Sequence, residues 1–325
     1  MIVGPSANAL SNNNLSSKFP ILIAGPTGVG KSAFAVALAQ RVGGEILCAD
    51  AFQLYAGLAV LTAQPPVAEQ RGVPHHLYGS VDPARNIDAA LFLRLVEPLV
   101  QEILARDHFP LLVGGTGLYL KAFTHGLDEM PPVDAALRAR LSSTPLPELQ
   151  ELLHAHDPEA ARQTDLQNPR RVQRALEIVL TSGKPLSASR QAWQTAPRRF
   201  YRALYLQRSP EDLDHRIRRN VANILSSGAP DEVRTLDQRP LGETAVRAIG
   251  FTTIRRWQAG EITRPACEEQ MFRQTRQYAK RQRTWFARQT DYHPVPLRPA
   301  ASPEESCRGL ADELCQQHAS GGSCS

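Results

Sequence analysis

The sequence predicts an α/β fold: a parallel sheet flanked by helices, with an all-helical insertion. Three features carry the prediction. Short apolar strands alternate with helical stretches up to residue 130, the first strand runs through a Gly-rich turn into a helix, and residues 131–197 lose strand character altogether.

The elements follow in order. Residues 1–18 are rich in Ser and Asn and lack both a basic start and an apolar segment, so they read as a disordered tail and not as a secretory signal. Ile21-Leu22-Ile23-Ala24 is a buried strand, the Gly-rich turn follows, and a helix is expected from Lys31 to Val42. Glu45-Ile46-Leu47-Cys48-Ala49 is a second strand, ending at Asp50. A Pro-rich loop around Pro65-Pro66 and His75-His76 leads to a helix over 89–106, and Pro110-Leu111-Leu112-Val113 is a third strand ending in Gly114-Gly115. In the insertion, helices are expected over 134–141, 147–156, 158–163 and 170–180, separated by Pro and Gly breaks. Tyr201-Arg202-Ala203-Leu204-Tyr205-Leu206 returns to the sheet. Residues 210–288 are helical with breaks near Gly228, Gly242 and Gly260. The catalytic core is thus expected over 19–130 plus 198–290, and 291–325, with its Pro, Ser and Gly, as a loosely ordered segment.

The chain has 325 residues, enough for a substantial core, and no apolar run approaching the roughly 20 residues that span a bilayer. Its five cysteines, Cys48, Cys267, Cys307, Cys315 and Cys324, are odd in number and never spaced C-x-x-C. That argues against a disulfide framework or a zinc site, and for a reducing cytoplasm. His75 and His76 are adjacent and lack a third ligand at a matching spacing, so they read as hydrogen-bonding groups.

Gly25-Pro26-Thr27-Gly28-Val29-Gly30-Lys31-Ser32 fits G-x-x-x-x-G-K-[ST] between a strand and a helix, the context a P-loop requires. The fold is therefore P-loop NTPase-like. The glycines let backbone N–H groups curl around phosphate oxygens, Lys31 adds a mobile positive charge, and the Ser32 hydroxyl is placed to ligate Mg²⁺. Kinases, ATPases, GTPases and some transferases share this nucleotide-binding motif, so the loop alone does not name the phosphate compound. Hydrolases and kinases usually place a carboxylate at the end of another buried strand. Here Val113 leads to Gly114-Gly115-Thr116 without one, while the strand before it ends in Asp50, which suits a metal role or a base acting on an acceptor.

Net charge is +5, and its distribution matters more than its total. Residues 271–290 contain no acid but carry Arg273, Arg276, Lys280, Arg281, Arg283 and Arg288. At about 100° per residue the first five fall on one half of a helix, opposite Phe272, Tyr278, Ala279, Trp285 and Phe286. A solvated helix usually mixes signs to gain i,i+4 pairs, so this face suggests phosphate contacts. Arg162, Arg170, Arg171 and Arg174 form a second cluster, and Arg216, Arg218 and Arg219 a third. Such surfaces around a phosphate loop suit a polyanionic substrate.

Several segments in order resemble the bacterial tRNA dimethylallyltransferases: the loop through Ser32, Ala49-Asp50 to Tyr55, Pro74-His-His-Leu77, Leu111-Leu-Val-Gly-Gly-Thr-Gly-Leu-Tyr119, Arg174-Ala-Leu-Glu177 and Thr275-Arg-Gln-Tyr-Ala-Lys-Arg-Gln282. The resemblance runs over about 19–290. It implies transfer of a dimethylallyl group from dimethylallyl diphosphate to N6 of the adenosine at tRNA position 37, with Mg²⁺ as cofactor and the anticodon stem-loop as partner. It implies that Gly25 and Thr27 to Ser32 hold the diphosphate, with Ser32 where many relatives have Thr, and that Arg216, in Asp214-His-Arg-Ile217, reaches the same group. Asp50 would be the catalytic base, and Thr116 would touch the target nucleotide. The tRNA would be lined by Asp50, Ala51, Phe52, Gln53, Thr116, Arg138, Arg170, Arg171, Arg174, Arg247, Arg276 and Lys280. A monomer is expected.

The sequence departs from the family pattern at Ala51, usually Ser, in the stretch from Gly57 through Gln64 to Pro65, and at Asn168 and Asn220. These bear on affinity and acceptor choice more than on the reaction class. An adenylate isopentenyltransferase would use the same donor on a free nucleotide and would need neither insertion nor basic helix. A P-loop kinase would explain the loop but not the missing strand-end carboxylate. A non-catalytic RNA-binding protein would not need Lys31, Ser32 and Asp50 together.

Overall fold

A computed structural model describes residues 18–128, 134–186, 193 and 196–321. The tail expected over 1–18 lies outside these residues except for Lys18, as do parts of the insertion's two edges.

In chain order the elements are β1 (Ile21–Ala24), α1 (Lys31–Val42), β2 (Gly44–Cys48), α2 (Val67–Gln70), β3 (His75–His76), α3 (Ala89–Ala105), β4 (Phe109–Gly114) and α4 (Gly117–His125). Next come α5 (Ala135–Ser143), α6 (Leu146–His156), α7 (Pro158–Gln163), α8 (Pro169–Ser182) and β5 (Arg202–Gln207). The chain continues with α9 (Pro210–Ser226), α10 (Ala229–Leu236), α11 (Glu243–Val246), α12 (Phe251–Gln258), α13 (Arg264–Phe286), β6 (Tyr292–Pro296) and α14 (Pro303–Gly321). The expected α/β class holds: all the strands pair in parallel, in the order β3-β2-β4-β1-β5-β6.

Residue choice explains the layout. β1 and β4 are buried along their whole length, as their unbroken apolar runs require in a sheet covered on both faces. Because the sheet is all parallel, the C-terminal ends of β1, β2, β4 and β5 lie along one edge, where open α/β sheets bind ligands. The helix starts carry their signals: the Asp88 carboxylate accepts from the Leu91 N–H, the Ser209 hydroxyl from Asp212, and the Thr263 hydroxyl from Ala266.

Residues 291–321, the described part of the segment expected over 291–325, depart from expectation. They do not form a loose tail: Tyr292–Pro296 adds β6 to β5, and α14 packs on α1 through buried Cys307, Ala311 and Leu314. Burying a side chain such as Leu314 stabilises by about 2 kcal/mol. Pro294 and Pro296 cannot donate to a ladder, so the strand suits the sheet edge. The core therefore extends well past residue 290.

The chain divides into two compact bodies, residues 1–124 with 199–325, and residues 125–198. The second is helical, as expected, and its boundaries fall a few residues outside 131–197. Its core is built from Leu141, Leu149, Leu153, Val172, Leu176 and neighbours on α5 to α8. The Asp157 carboxylate caps α7 and also accepts from the Leu186 N–H at 2.7 Å.

Candidate active site

The loop between β1 and α1 turns through Gly28 (φ 86°) and Gly30 (φ 106°), left-handed conformations that strain any residue with a Cβ. No side chain caps the start of α1, so its first N–H groups stay open to an anion. Lys31 folds back, its Nζ donating to the carbonyls of Gly25 (3.0 Å) and Pro26 (3.1 Å). Burial pushes the Lys31 ammonium down to about 8, and the Asp50 carboxylate opposes that shift.

Two arginines brace the loop from the β5 side. Arg216 Nε donates to the Gly28 carbonyl (2.8 Å), and Arg208 Nε to that of Val29 (2.8 Å). Arg208 also pairs with Asp212 at 2.7 Å. Burial, then the cations of Arg208 and Arg219, push the Arg216 guanidinium below its ordinary value. Positive charge is thus concentrated here at an energetic cost that a bound anion would relieve.

Asp50 lies just past the end of β2, on the far side of β4 from β1, and is 9% exposed. Its Oδ1 accepts from the Phe52 N–H (3.1 Å), leaving the other carboxylate oxygen for chemistry. The Thr116 hydroxyl accepts from the Ala51 N–H (3.0 Å), which ties the β4 end to the segment after Asp50. That approach needs Gly114, where a Cβ would stand 2.0 Å from the Ala49 carbonyl oxygen. Ala51 contributes its backbone, so the departure from Ser leaves this link intact. Gln53 donates to the carbonyls of Thr62 and Ala63, both at 2.9 Å, and Gln64 to that of Gln53 at 2.9 Å, so these two side chains fasten the following loop.

Sequence reasoning missed three residues that the structure brings to this place. Arg208 is one. Tyr278 is another: its hydroxyl lies beside Thr116 and Gln282, its ring sits 6.2 Å from Phe52, and burial followed by the Asp50 charge pushes its pKa up. Gln282 is the third, bridging the loop and the Gly115 carbonyl. Arg208 carried a signal, being a cation directly after a strand at the same edge as the P-loop.

The basic face of α13 is less one-sided than its sequence. Arg276 pairs with Asp214 of α9 (2.8 Å), and Arg273 and Arg218 both pair with Glu269 (2.9 and 3.0 Å). Arg218 also stacks on Phe272. Lys280 and Arg283 form no ion pair among the described residues and line an open groove of about 1130 Å³ floored by Phe272 and Phe286. Arg247 pairs with Glu243 (3.3 Å).

In the second body Arg138, Arg170, Arg171 and Arg174 are all exposed. Arg138 and Arg174 converge on Glu177 (3.1 and 2.8 Å), Arg171 reaches Asp165 (3.4 Å), and Asn168 caps α8. The basic clusters are therefore partly neutralised by acids from the same and neighbouring helices.

His75 and His76 form β3. His76 pairs with Glu45 at 2.7 Å, and Arg106 and His108 join the same carboxylate. Among the described residues no group of three or more His, Cys, Asp or Glu could hold a metal. No described helix is long and apolar enough to cross a membrane.

Against known proteins, residues 53–289 match the family model described as IPP transferase, and residues 20–78 that of isopentenyl transferase. A tRNA dimethylallyltransferase of Akkermansia muciniphila is 41% identical over 297 residues, covering 91% of this chain and 98% of its own length. One from Dinoroseobacter shibae is 43% identical, covering 87% of this chain and 97% of its own length. Among solved structures, the tRNA isopentenylpyrophosphate transferase of Bacillus halodurans matches with a TM-score of 0.67 at 31% identity, over 94% of this chain and all of that one. A eukaryotic dimethylallyltransferase acting on tRNA matches with a TM-score of 0.79 at 27% identity, over 94% of this chain and 80% of that one. Family model and relatives agree over most of the length, and the chain belongs to the IPP transferase family.

Proposed function

We propose that this protein transfers the dimethylallyl group of dimethylallyl diphosphate to N6 of the adenosine at tRNA position 37, next to the anticodon, releasing diphosphate. One observation carries the reading: a buried carboxylate, Asp50, stands at the strand end beside a P-loop whose Lys31 is close enough to sense its charge. A kinase would instead place its carboxylate after β4, where Gly114, Gly115 and Thr116 stand.

The chemistry follows from charge. Breaking the allylic C–O bond puts negative charge on the leaving diphosphate, and Lys31, Arg216, the loop N–H groups and the open start of α1 stabilise it. Adenine N6 is a weak nucleophile, and the free oxygen of Asp50 takes its proton as the bond forms. An adenosine stacked in a loop cannot reach a buried carboxylate, so the base is extruded toward Thr116 and the Phe52 and Tyr278 rings. Arg138, Arg170, Arg171, Arg174, Arg247, Arg276 and Lys280 are the residues we assign to the RNA backbone.

The donor set fits Mg²⁺ held mostly by phosphate oxygens, with the half-buried Ser32 hydroxyl as the protein's contribution, since no carboxylate or imidazole cluster competes for it among the described residues. Bound there, the ion would offset charge on the leaving group. The scattered thiols, three of them buried, suit a reducing cytoplasm.

The test supplies unmodified tRNA and Mg²⁺ with dimethylallyl diphosphate or ATP in parallel and follows RNA mass. A gain of one five-carbon prenyl unit with the first donor alone supports the reading. Phosphate release from ATP with unchanged RNA would overturn it.

A further inference from the structure

One buried amide joins the two halves of the site. Gln282, 5% exposed on α13, accepts from the Thr27 N–H of the loop (2.8 Å) and donates to the Gly115 carbonyl at the β4 end (3.0 Å). The partners fix its orientation, because a backbone N–H only donates and a carbonyl only accepts. Gly115 is matched to it: a Cβ there would stand 2.0 Å from Gln282 Nε2. One turn earlier on the same helix, the Tyr278 hydroxyl sits beside Thr116 and Gln282. The exposed side of α13 carries Arg276, Lys280 and Arg283.

The Thr27 N–H is turned to Gln282, so this side chain fixes the loop's position. Resting on the reading that the loop holds the leaving diphosphate and Asp50 with Thr116 the acceptor, we infer that Gln282 is a positioning residue coupling donor and acceptor through α13. RNA seated on α13 then tightens the grip of the loop on diphosphate. Loss of the amide leaves a partly buried N–H and a buried carbonyl unsatisfied and lets the loop drift relative to Asp50. Reacting groups misplaced by about 1 Å lose up to ~10²-fold in rate.

The test uses the full chain with Gln282→Ala and Gln282→Glu. For the Ala variant, kcat falls by roughly 10- to 100-fold while each KM stays within about 3-fold. Inorganic diphosphate, titrated with and without an anticodon stem-loop RNA, binds tighter with RNA in the wild type and equally in the variant. The Gln282→Glu variant adds a pH signature. Its ionised carboxylate still accepts from Thr27 but repels the Gly115 carbonyl, whereas the protonated acid donates as the amide does. Its turnover relative to wild type therefore rises as pH falls; the ratio cancels any pH dependence common to the two proteins. This signature decides the question even where the Ala variant fails to fold. Wild-type kcat and coupling in the Ala variant, or a pH-independent ratio for the Glu variant, would overturn the inference. A wild type that moves no prenyl group would instead overturn the functional reading, while its diphosphate binding still scores the coupling.

Discussion

Raising the pH should loosen the donor, and Lys31 sets where. Burial holds its ammonium down to about 8 in the free protein, far below an ordinary lysine, with Asp50 limiting the drop. An anion binds the protonated form, so affinity is full below about 8 and is lost as pH rises through it. With only the protonated form binding, the apparent Kd is multiplied by one plus the ratio of neutral to charged lysine, making it ~10-fold weaker at about pH 9 than at about pH 7. Asp50→Asn removes the charge that raises this value, so the same loss should begin at lower pH. Calorimetric titration of dimethylallyl diphosphate with Mg²⁺ across this range reads both effects. Lys31→Met should weaken binding and flatten its pH dependence. A wild-type Kd constant across the range, or an equal slope in Lys31→Met, would show that Lys31 is not the titrating group.

Other expectations are as direct. Asp50→Asn keeps the shape that accepts from Phe52 but removes the base, so kcat should fall ~10²- to 10⁴-fold with little change in tRNA affinity; a collapse of affinity at normal turnover would make Asp50 a binding residue. Neutralising Lys280 and Arg283 should reduce the slope of log affinity for tRNA against log salt by about one for each phosphate no longer neutralised, and an unchanged slope would place this groove away from RNA. Glu45 is buried at a cost, but hydrogen bonds from Arg106, His108 and His76 hold its carboxyl down to about 2. This depressed pKa contributes stability above the ordinary glutamate range that is lost as pH falls toward 2, so Glu45→Ala should cost about 3 kcal/mol near neutral pH in denaturant melts and narrow the gap to wild type in acid.

What could be read from the sequence was local. The loop from Gly25 to Ser32, Asp50 and Thr116 each sit at the end of an apolar run, and period and glycine placement reveal such ends without knowledge of the partner strand. Gln282 could not be found that way. It is a neutral amide in a basic helix whose partners lie 255 and 167 residues away in sequence. β6 was hidden by Pro294 and Pro296, which argue against a strand everywhere except at an edge. The acids that temper α13 were invisible within 271–290 because Glu269 precedes that stretch and Asp214 comes from α9.

The P-loop's identity as the seat of a leaving diphosphate is tested most directly by a single-turnover reaction that counts products together. With enzyme in excess over dimethylallyl diphosphate, and tRNA and Mg²⁺ present, each prenyl unit gained at N6 of adenosine 37 should be matched by one diphosphate and no orthophosphate. Orthophosphate in place of diphosphate, or diphosphate released without prenyl gain on the RNA, would contradict it.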